Sequence, residues 1–167
     1  GSDFTFGDVT LRKPKHDNHE LLGKTKFAGC LGVMKDVKRN KYTQNAKIEA
    51  DCSVDGKEVY KLKSTANDAN WWYDHRISLI DAKTFADYRT EYFKGGKHIK
   101  TIDRSWVPAN LDDPRASYWG YWYGKTNTTG HETMAFIPST ITKVNHKYKK
   151  KNLWSTTTLK KMPKKIK

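Results

Sequence analysis

The chain has 167 residues and a formal net charge of +14, and 30% of its residues are charged. This length fits one domain with a sizeable core, and 13% aromatic residues argue against disorder throughout. No apolar run approaches the roughly 20 residues that a membrane-spanning helix needs. We therefore expect a single domain and no transmembrane segment.

The first half of the chain predicts strands and one cysteine pair. Residues 24–35 read as a glycine-interrupted strand, and Asp55-Gly56 lies between two alternating runs, which predicts a β-hairpin. Cys30 and Cys52 both fall in predicted strands. If those strands are neighbours, a disulfide forms and indicates an oxidising compartment; the alternative is two buried free thiols.

The second half adds a helix and another hairpin. WWYDHRISLID predicts a strand ending at Asp81, and Asp81 then caps a helix around residues 82–94 that stops at Gly95-Gly96. KHIKTID predicts a further strand, and residues 118–125 and 132–137 predict a hairpin around NTTG. The predicted fold class is α+β, a β-rich single domain in which an antiparallel sheet carries one packed helix.

The end of the chain is strongly basic. Residues 143–167 contain ten lysines and no acidic residue. We predict a globular domain over residues 3–142 and a lysine-rich, partly docked segment over residues 143–167. Such a segment attracts polyanions, so teichoic acid, acidic polysaccharide and nucleic acid are candidate partners. The lysines assigned to binding are Lys149, Lys150, Lys151, Lys160 and Lys161. A solvated end that only confers solubility is the alternative.

Aromatic residues form two dense stretches, WWY at 71–73 and YWGYWYG at 118–124. On a strand, Trp122 faces one way, and Trp119, Tyr121 and Tyr123 face the other. We predict that one face is core and that the other contacts ligand by stacking. The candidate binding rings are Trp71, Trp72, Trp119, Tyr121, Trp122 and Tyr123. An entirely structural role for these rings is the alternative.

Two pairs of residues are candidates for catalysis. Asp74 precedes His75, and His131 precedes Glu132, so each pair offers a carboxylate beside a possible general base. Neighbouring residues on a strand face opposite ways, which argues against a direct hydrogen bond within a pair. No familiar hydrolase, phosphate-binding or calcium motif is present, and no cofactor or metal is expected. Structural roles for these histidines are the alternative.

The phrases WWYDHRISL, YFKGGKHIKTID, SYWGYWYGKTNTTG and NLWSTTTLKKMPKKIK resemble lysine- and tyrosine-rich exported proteins of lactic acid bacteria. The resemblance implies a secreted, envelope-associated setting and carries over no functional residue.

The resulting hypothesis is a secreted or cell-surface module that binds an anionic envelope or host polymer through lysine charge and aromatic stacking. One alternative is a secreted hydrolase, a nuclease or a glycan-cleaving enzyme, that uses His75 or His131. Another is a toxin or inhibitor that docks a basic face on an acidic protein. The sequence leaves the oligomeric state open.

Overall fold

The computed structural model describes residues 2–5, 8, 12–41, 44, 48–137 and 157. Within these residues the regular elements are a short 3-10 helix, Pro14–His16, and one antiparallel sheet of seven strands whose order follows the sequence. The strands are β1 (Asp17–Lys26), β2 (Glu58–Ala66), β3 (His75–Asp81), β4 (Asp87–Lys94), β5 (Lys97–Pro108), β6 (Ser117–Thr126) and β7 (Glu132–Phe136). In the described part of the chain, no helix is long and apolar enough to cross a bilayer.

The predicted helix over residues 82–94 is wrong, and with it the α+β class. Residues 87–94 form β4, in which Tyr88, Thr90 and Tyr92 are buried at every second position. This segment satisfies a helical and a strand period at once, and its tyrosines, threonine and phenylalanine favour strands. Gly95 and Gly96 both have positive φ, at 56° and 73°, and close the β4–β5 hairpin instead of ending a helix.

The other strand predictions are partly confirmed. β3 ends at Asp81, and β6 and β7 form the expected hairpin. The hairpin around Asp55-Gly56 is wrong in its first arm, because residues 48–52 are not a strand and β2 pairs with β1 and β3. Residues 27–35 are likewise outside any strand, and β5 continues to Pro108, beyond the end of the predicted strand KHIKTID.

One face of the sheet is covered by another part of the chain. On what we call the first face, side chains from the β1–β2 connection pack on the sheet, and we call residues 27–34 and 50–57 of that connection the cover. Phe27, Leu31 and Val54 of the cover are at most 1% exposed. The cluster they form includes the following sheet residues: Val59, Tyr88, Tyr121 and Tyr123. The cover thus completes a hydrophobic core that the sheet alone would leave open to water.

A buried carboxylate attaches the cover to the sheet. Asp103, on β5, is 1% exposed and accepts two 2.7 Å hydrogen bonds from the guanidinium of Arg89 on β4. Its Oδ2 also accepts a 2.6 Å hydrogen bond from the backbone N–H of Gly32 in the cover. A Cβ at Gly32 would lie 2.3 Å from a ring carbon of Tyr123, so only glycine permits this approach.

A disulfide between Cys30 and Cys52 joins the two halves of the cover. The predicted pairing is confirmed, although neither cysteine lies in a strand. Both residues are exposed, so the bond is accessible to solvent. The bridge shortens the loop that the unfolded chain must close before the cover packs, which stabilises the folded state.

Replacing both cysteines, as Cys30→Ser with Cys52→Ser, is expected to lower the free energy of unfolding by about 3 kcal/mol, because a bridge of this sequence separation restricts the unfolded chain. Urea unfolding followed by fluorescence measures the difference. Reductant should destabilise the wild-type protein by a similar amount and leave the double variant unchanged. Equal stability of the wild-type protein with and without reductant would contradict the assigned role.

Candidate functional site

The opposite side of the sheet, which we call the second face, carries a cluster of tryptophan and tyrosine rings. Its buried members are Tyr73, Tyr92, Ile102 and Trp122. Phe4, Ala66, Trp71, Trp72, Ile99 and Trp119 pack against them and are partly buried. The rings come from the N-terminal segment, the β2–β3 connection and strands β4 and β6, so residues distant in sequence build this surface.

A bulge in β6 determines which rings meet. Ser105 pairs with Tyr121 and the next residue, Trp106, pairs with Trp119, so Gly120 is the extra residue on β6. The ring of Trp119 thereby comes to 4.3 Å, centroid to centroid, from that of Trp122. Strict alternation predicts that Trp119 shares a face with Tyr121 and Tyr123, and this expectation is wrong because it does not allow for the bulge.

The N-terminal segment contributes Phe4 to the same cluster. The rings of Phe4 and Trp122 meet edge to face with centroids 5.7 Å apart. A Cβ at Gly124 would lie 2.8 Å from a ring carbon of Phe4, so this glycine leaves the space that Phe4 occupies. The second glycine of YWGYWYG therefore serves the packing of another ring.

An apolar crevice opens where these rings meet the end of β7. Phe4, Trp119, Trp122, Ala135 and Ile137 line it, and its volume is about 140 Å³. Every lining side chain is hydrophobic. Ile137 is 38% exposed, which places the crevice at the protein surface. Such a crevice offers van der Waals contact and the release of water, but no charge, to whatever enters it.

The cations beneath the cluster are paired with carboxylates. The guanidinium of Arg104 lies 4.6 Å from the ring centre of Trp122 and bonds Asp87 at 3.0 Å. Lys100 lies 4.7 Å from the ring centre of Trp72 and bonds Asp8 at 2.6 Å. Burial raises the pKa of Asp87, while Arg104 opposes the shift. These two cations are therefore neutralised inside the protein and do not form a binding site for an external polyanion at the rings.

A further ion cluster holds the start of β1. Asp17 accepts hydrogen bonds from Arg12 at 2.8 and 3.0 Å, and Arg76 lies 3.3 Å from its Oδ2. The Arg12 guanidinium also sits 4.3 Å from the ring centre of Trp71. Cation–π contact and ion pairing therefore fix Trp71 from one side.

Five polar atoms in the ring cluster are buried without a partner. They are the indole nitrogens of Trp71, Trp72, Trp119 and Trp122 and the hydroxyl of Tyr73, none of which has a hydrogen-bond partner in the described part of the chain. Buried indole N–H groups usually find an acceptor. Their arrangement favours ring packing over hydrogen bonding.

The predicted binding rings are thus distributed over both faces. Tyr121, Trp122 and Tyr123 are 5–8% exposed, and Trp71, Trp72 and Trp119 are partly buried. Tyr121 accepts a 3.1 Å hydrogen bond from the backbone N–H of Asp51, and Tyr123 donates a 2.6 Å bond to Glu132. Lys149, Lys150, Lys151, Lys160 and Lys161, with the rest of the predicted tail except residue 157, lie outside the described residues.

The candidate catalytic residues do not converge. His75, in β3, is stacked on Phe93 of β4, and burial and Lys63 lower the pKa of His75. Asp74 accepts a 2.6 Å bond from Gly95 N–H and contacts Lys94 at 3.0 Å. His131 and Glu132 lie at β7, four strand spacings or about 19 Å from β3. Among the described residues no cluster of three or more His, Cys, Asp or Glu could hold a metal ion.

Three crevice residues escape sequence reasoning. Phe4, Ala135 and Ile137 carry no motif, and Ala135 differs from other exposed strand residues only by its small size. The nearest signal in the sequence is Gly124, two residues after Trp122, where a side chain would meet Phe4. A glycine inside an aromatic strand indicates that another group packs closely there, without saying what it is.

No protein-family model matches the chain, and no curated protein sequence matches it. Among solved structures, it is similar to a putative outer membrane lipoprotein-sorting protein domain from Vibrio parahaemolyticus (TM-score 0.56, 15% identity). It is also similar to a DUF1329 family protein from Desulfovibrio piger (TM-score 0.54, 12% identity). Each match covers 83% of this chain and 49% of the other, so the chain spans about half the length of those proteins.

These findings overturn the polymer-binding hypothesis and its hydrolase alternative, and they do not test the toxin or inhibitor alternative. The antiparallel sheet is similar in fold to a solved lipoprotein-sorting protein domain and to a DUF1329 protein. The rings assigned to polymer stacking are buried or partly buried, and the described cations near them are paired. The histidines assigned to hydrolysis lie on separate strands.

Asp3 anchors the segment that carries Phe4. Its carboxylate accepts hydrogen bonds from Thr126 at 2.5 Å and Thr133 at 2.7 Å, and His131 Nδ1 lies 2.7 Å away. Burial acts to raise the pKa of Asp3, but the hydrogen bonds and His131 outweigh it and lower the pKa. The ionised form is therefore the one that holds the segment.

Asp3→Asn is expected to lower the free energy of unfolding at pH 7 by about 1–3 kcal/mol, because a buried set of donors loses its charged acceptor. The pKa of Asp3 is lower in the folded state than in the unfolded state. The stabilisation is therefore complete above the unfolded-state pKa of about 4 and disappears as the pH falls through the folded-state pKa. Urea unfolding of both proteins between pH 7 and pH 2 tests this.

The matched control is Asp113→Asn, which removes an exposed carboxylate bonded to Arg115 and should leave stability unchanged at every pH. A constant difference between wild type and Asp3→Asn down to pH 2 would contradict the assignment.

Proposed function

We propose that this protein is a carrier that binds the acyl chain of a lipid or lipoprotein in the crevice between the N-terminal segment, β6 and β7. The observation that carries the proposal is a surface crevice lined only by hydrophobic side chains, at the centre of an aromatic cluster. The similarity of fold to a protein described as lipoprotein-sorting supports it. The role is binding and transport, without a chemical reaction.

The chemistry of the crevice fits an alkyl chain. Each methylene transferred from water contributes about 0.8 kcal/mol, so four or five buried methylenes contribute roughly 3–4 kcal/mol. Trp119 and Trp122 supply rigid, polarisable walls, and Ala135 leaves the opening free. A charged polymer would gain nothing here, because among the described residues no cationic side chain lines the crevice.

The proposed setting is outside the cytoplasm. The cover is closed by a disulfide, and such bonds persist mainly in oxidising compartments. The resemblance to exported proteins of lactic acid bacteria agrees with this setting. A carrier working there meets lipids that are otherwise insoluble in water.

Quenching of tryptophan fluorescence by a brominated fatty acid tests the proposal, because two of the crevice walls are indole rings. Dibromostearic acid should quench the protein saturably. Ile137→Asp should weaken binding at least tenfold, or about 1.4 kcal/mol, since it places a carboxylate at the crevice. Ala135→Phe should weaken binding by filling the crevice.

The matched control is Leu22→Asp. Leu22 is 43% exposed, close to the 38% of Ile137, but lies on β1 at the opposite edge of the sheet. The Leu22→Asp variant should bind the fatty acid as the wild-type protein does. Linear, unsaturable quenching, or equal loss of affinity in the Leu22 and Ile137 variants, would refute crevice binding.

A further inference from the structure

The turn between β3 and β4 holds a large apolar side chain in water. Phe85 has a φ of 61°, in the left-handed region, and is 62% exposed. Bulky residues rarely adopt this conformation, and glycine would adopt it without strain. A bulky, mostly exposed ring held at a strained backbone position costs conformational energy, so its presence points to a role in function.

Hydrogen bonds around Asp81 fix this turn. Asp81 Oδ1 accepts bonds from the backbone N–H groups of Lys83 and Thr84, at 2.9 and 2.7 Å. Its Oδ2 accepts a 2.8 Å bond from the hydroxyl of Tyr88, and its carbonyl accepts a 3.0 Å bond from Phe85 N–H. The turn is therefore built to present Phe85 in one position.

Phe85 belongs to an exposed apolar patch, which we call the docking patch: Leu21, Tyr60, Leu62 and Phe85. The rings of Phe85 and Tyr60 are stacked, 6.5 Å apart and 5° from parallel. Leu62 shares the face of Tyr60 two residues along β2, and it pairs directly with Leu21, which is 61% exposed. The patch is thus contiguous across β1, β2 and the β3–β4 turn.

The charges around the docking patch favour an anionic partner. On the face of the patch, Lys24 and Lys26 of β1 pair with Tyr60 and Glu58 of β2, and Lys83 lies on the turn. Lys61 and Lys63 alternate with Tyr60 and Leu62 along β2 and therefore face the other way. Glu58 is paired with Lys24 at 2.8 Å. Exposed aromatic and leucine side chains among lysines match the interface of a bilayer that carries anionic headgroups.

We propose that the docking patch binds the surface of an anionic lipid bilayer, with the ring of Phe85 entering the headgroup region and the neighbouring lysines meeting lipid phosphates. This inference goes beyond the acyl-chain crevice and depends on different residues. The crevice opens near β7, whereas the patch lies on β1 and β2 at the other edge of the sheet.

Co-sedimentation of the full chain with vesicles in 0.15 M salt tests the proposal, using phosphatidylcholine alone or with one quarter phosphatidylglycerol. The wild-type protein should bind the anionic vesicles. Phe85→Gly should bind them at least tenfold more weakly while its melting temperature is equal to or above that of the wild type, because glycine relieves the strained φ. Lys83→Glu should weaken binding to the anionic vesicles only.

Asn110→Gly is the matched control, because Asn110 is also exposed and has a φ of 52° but carries no aromatic ring. It should bind vesicles as the wild type does. Equal binding by Phe85→Gly and the wild type, or no binding by the wild type, would overturn the proposal. Adsorption driven by charge alone would give equal binding by these two proteins and would therefore also overturn it. Phe85→Gly should still be quenched by the brominated fatty acid, and Ile137→Asp should still bind anionic vesicles. The two measurements therefore distinguish failure of the patch from failure of the crevice.

Discussion

The carboxylate of Asp103 joins three parts of the chain that would otherwise separate. It lies on β5, binds the guanidinium of Arg89 on β4, and holds the backbone of Gly32 in the cover. A buried charge is tolerated only when it is paired and hydrogen-bonded, so the cover and Arg89 must both be in place. The closed hydrophobic core of the first face depends on this arrangement, and the second face is thereby left for another use.

The two faces use the same residue types for different purposes. Tyr121 and Tyr123 point into the core beneath the cover, whereas Trp122 and Trp119 form the walls of the crevice. The hydroxyls of the two tyrosines are bonded within the protein, while the indole nitrogens of the two tryptophans have no partner in the described part of the chain. The tyrosine rings are thus fixed in a permanent core, whereas the tryptophan rings offer apolar surface to the crevice.

The sequence predicts the sheet better than it predicts the site. Turn chemistry identifies the β6–β7 hairpin, and the cysteine pair is right even though both residues lie outside strands. DYRTEYF is misread as helix because pairing with β3 and β5, which decides between two permitted periods, is not visible locally. The crevice is missed because Phe4 and Ile137 meet only after the chain has folded, and because a single bulge at Gly120 moves Trp119 to the other face.

The meander order of the strands has a consequence for how the molecule forms. From β2 to β7 each strand pairs with its immediate successor, so the contacts that build this part of the sheet have short loops and a low contact order. Pairing of β1 with β2 instead requires closure of the long connection that contains the cover. We expect the β2–β7 ribbon to assemble first by successive hairpins, with β1 and the cover added last. The core of the first face is then the final part to exclude water.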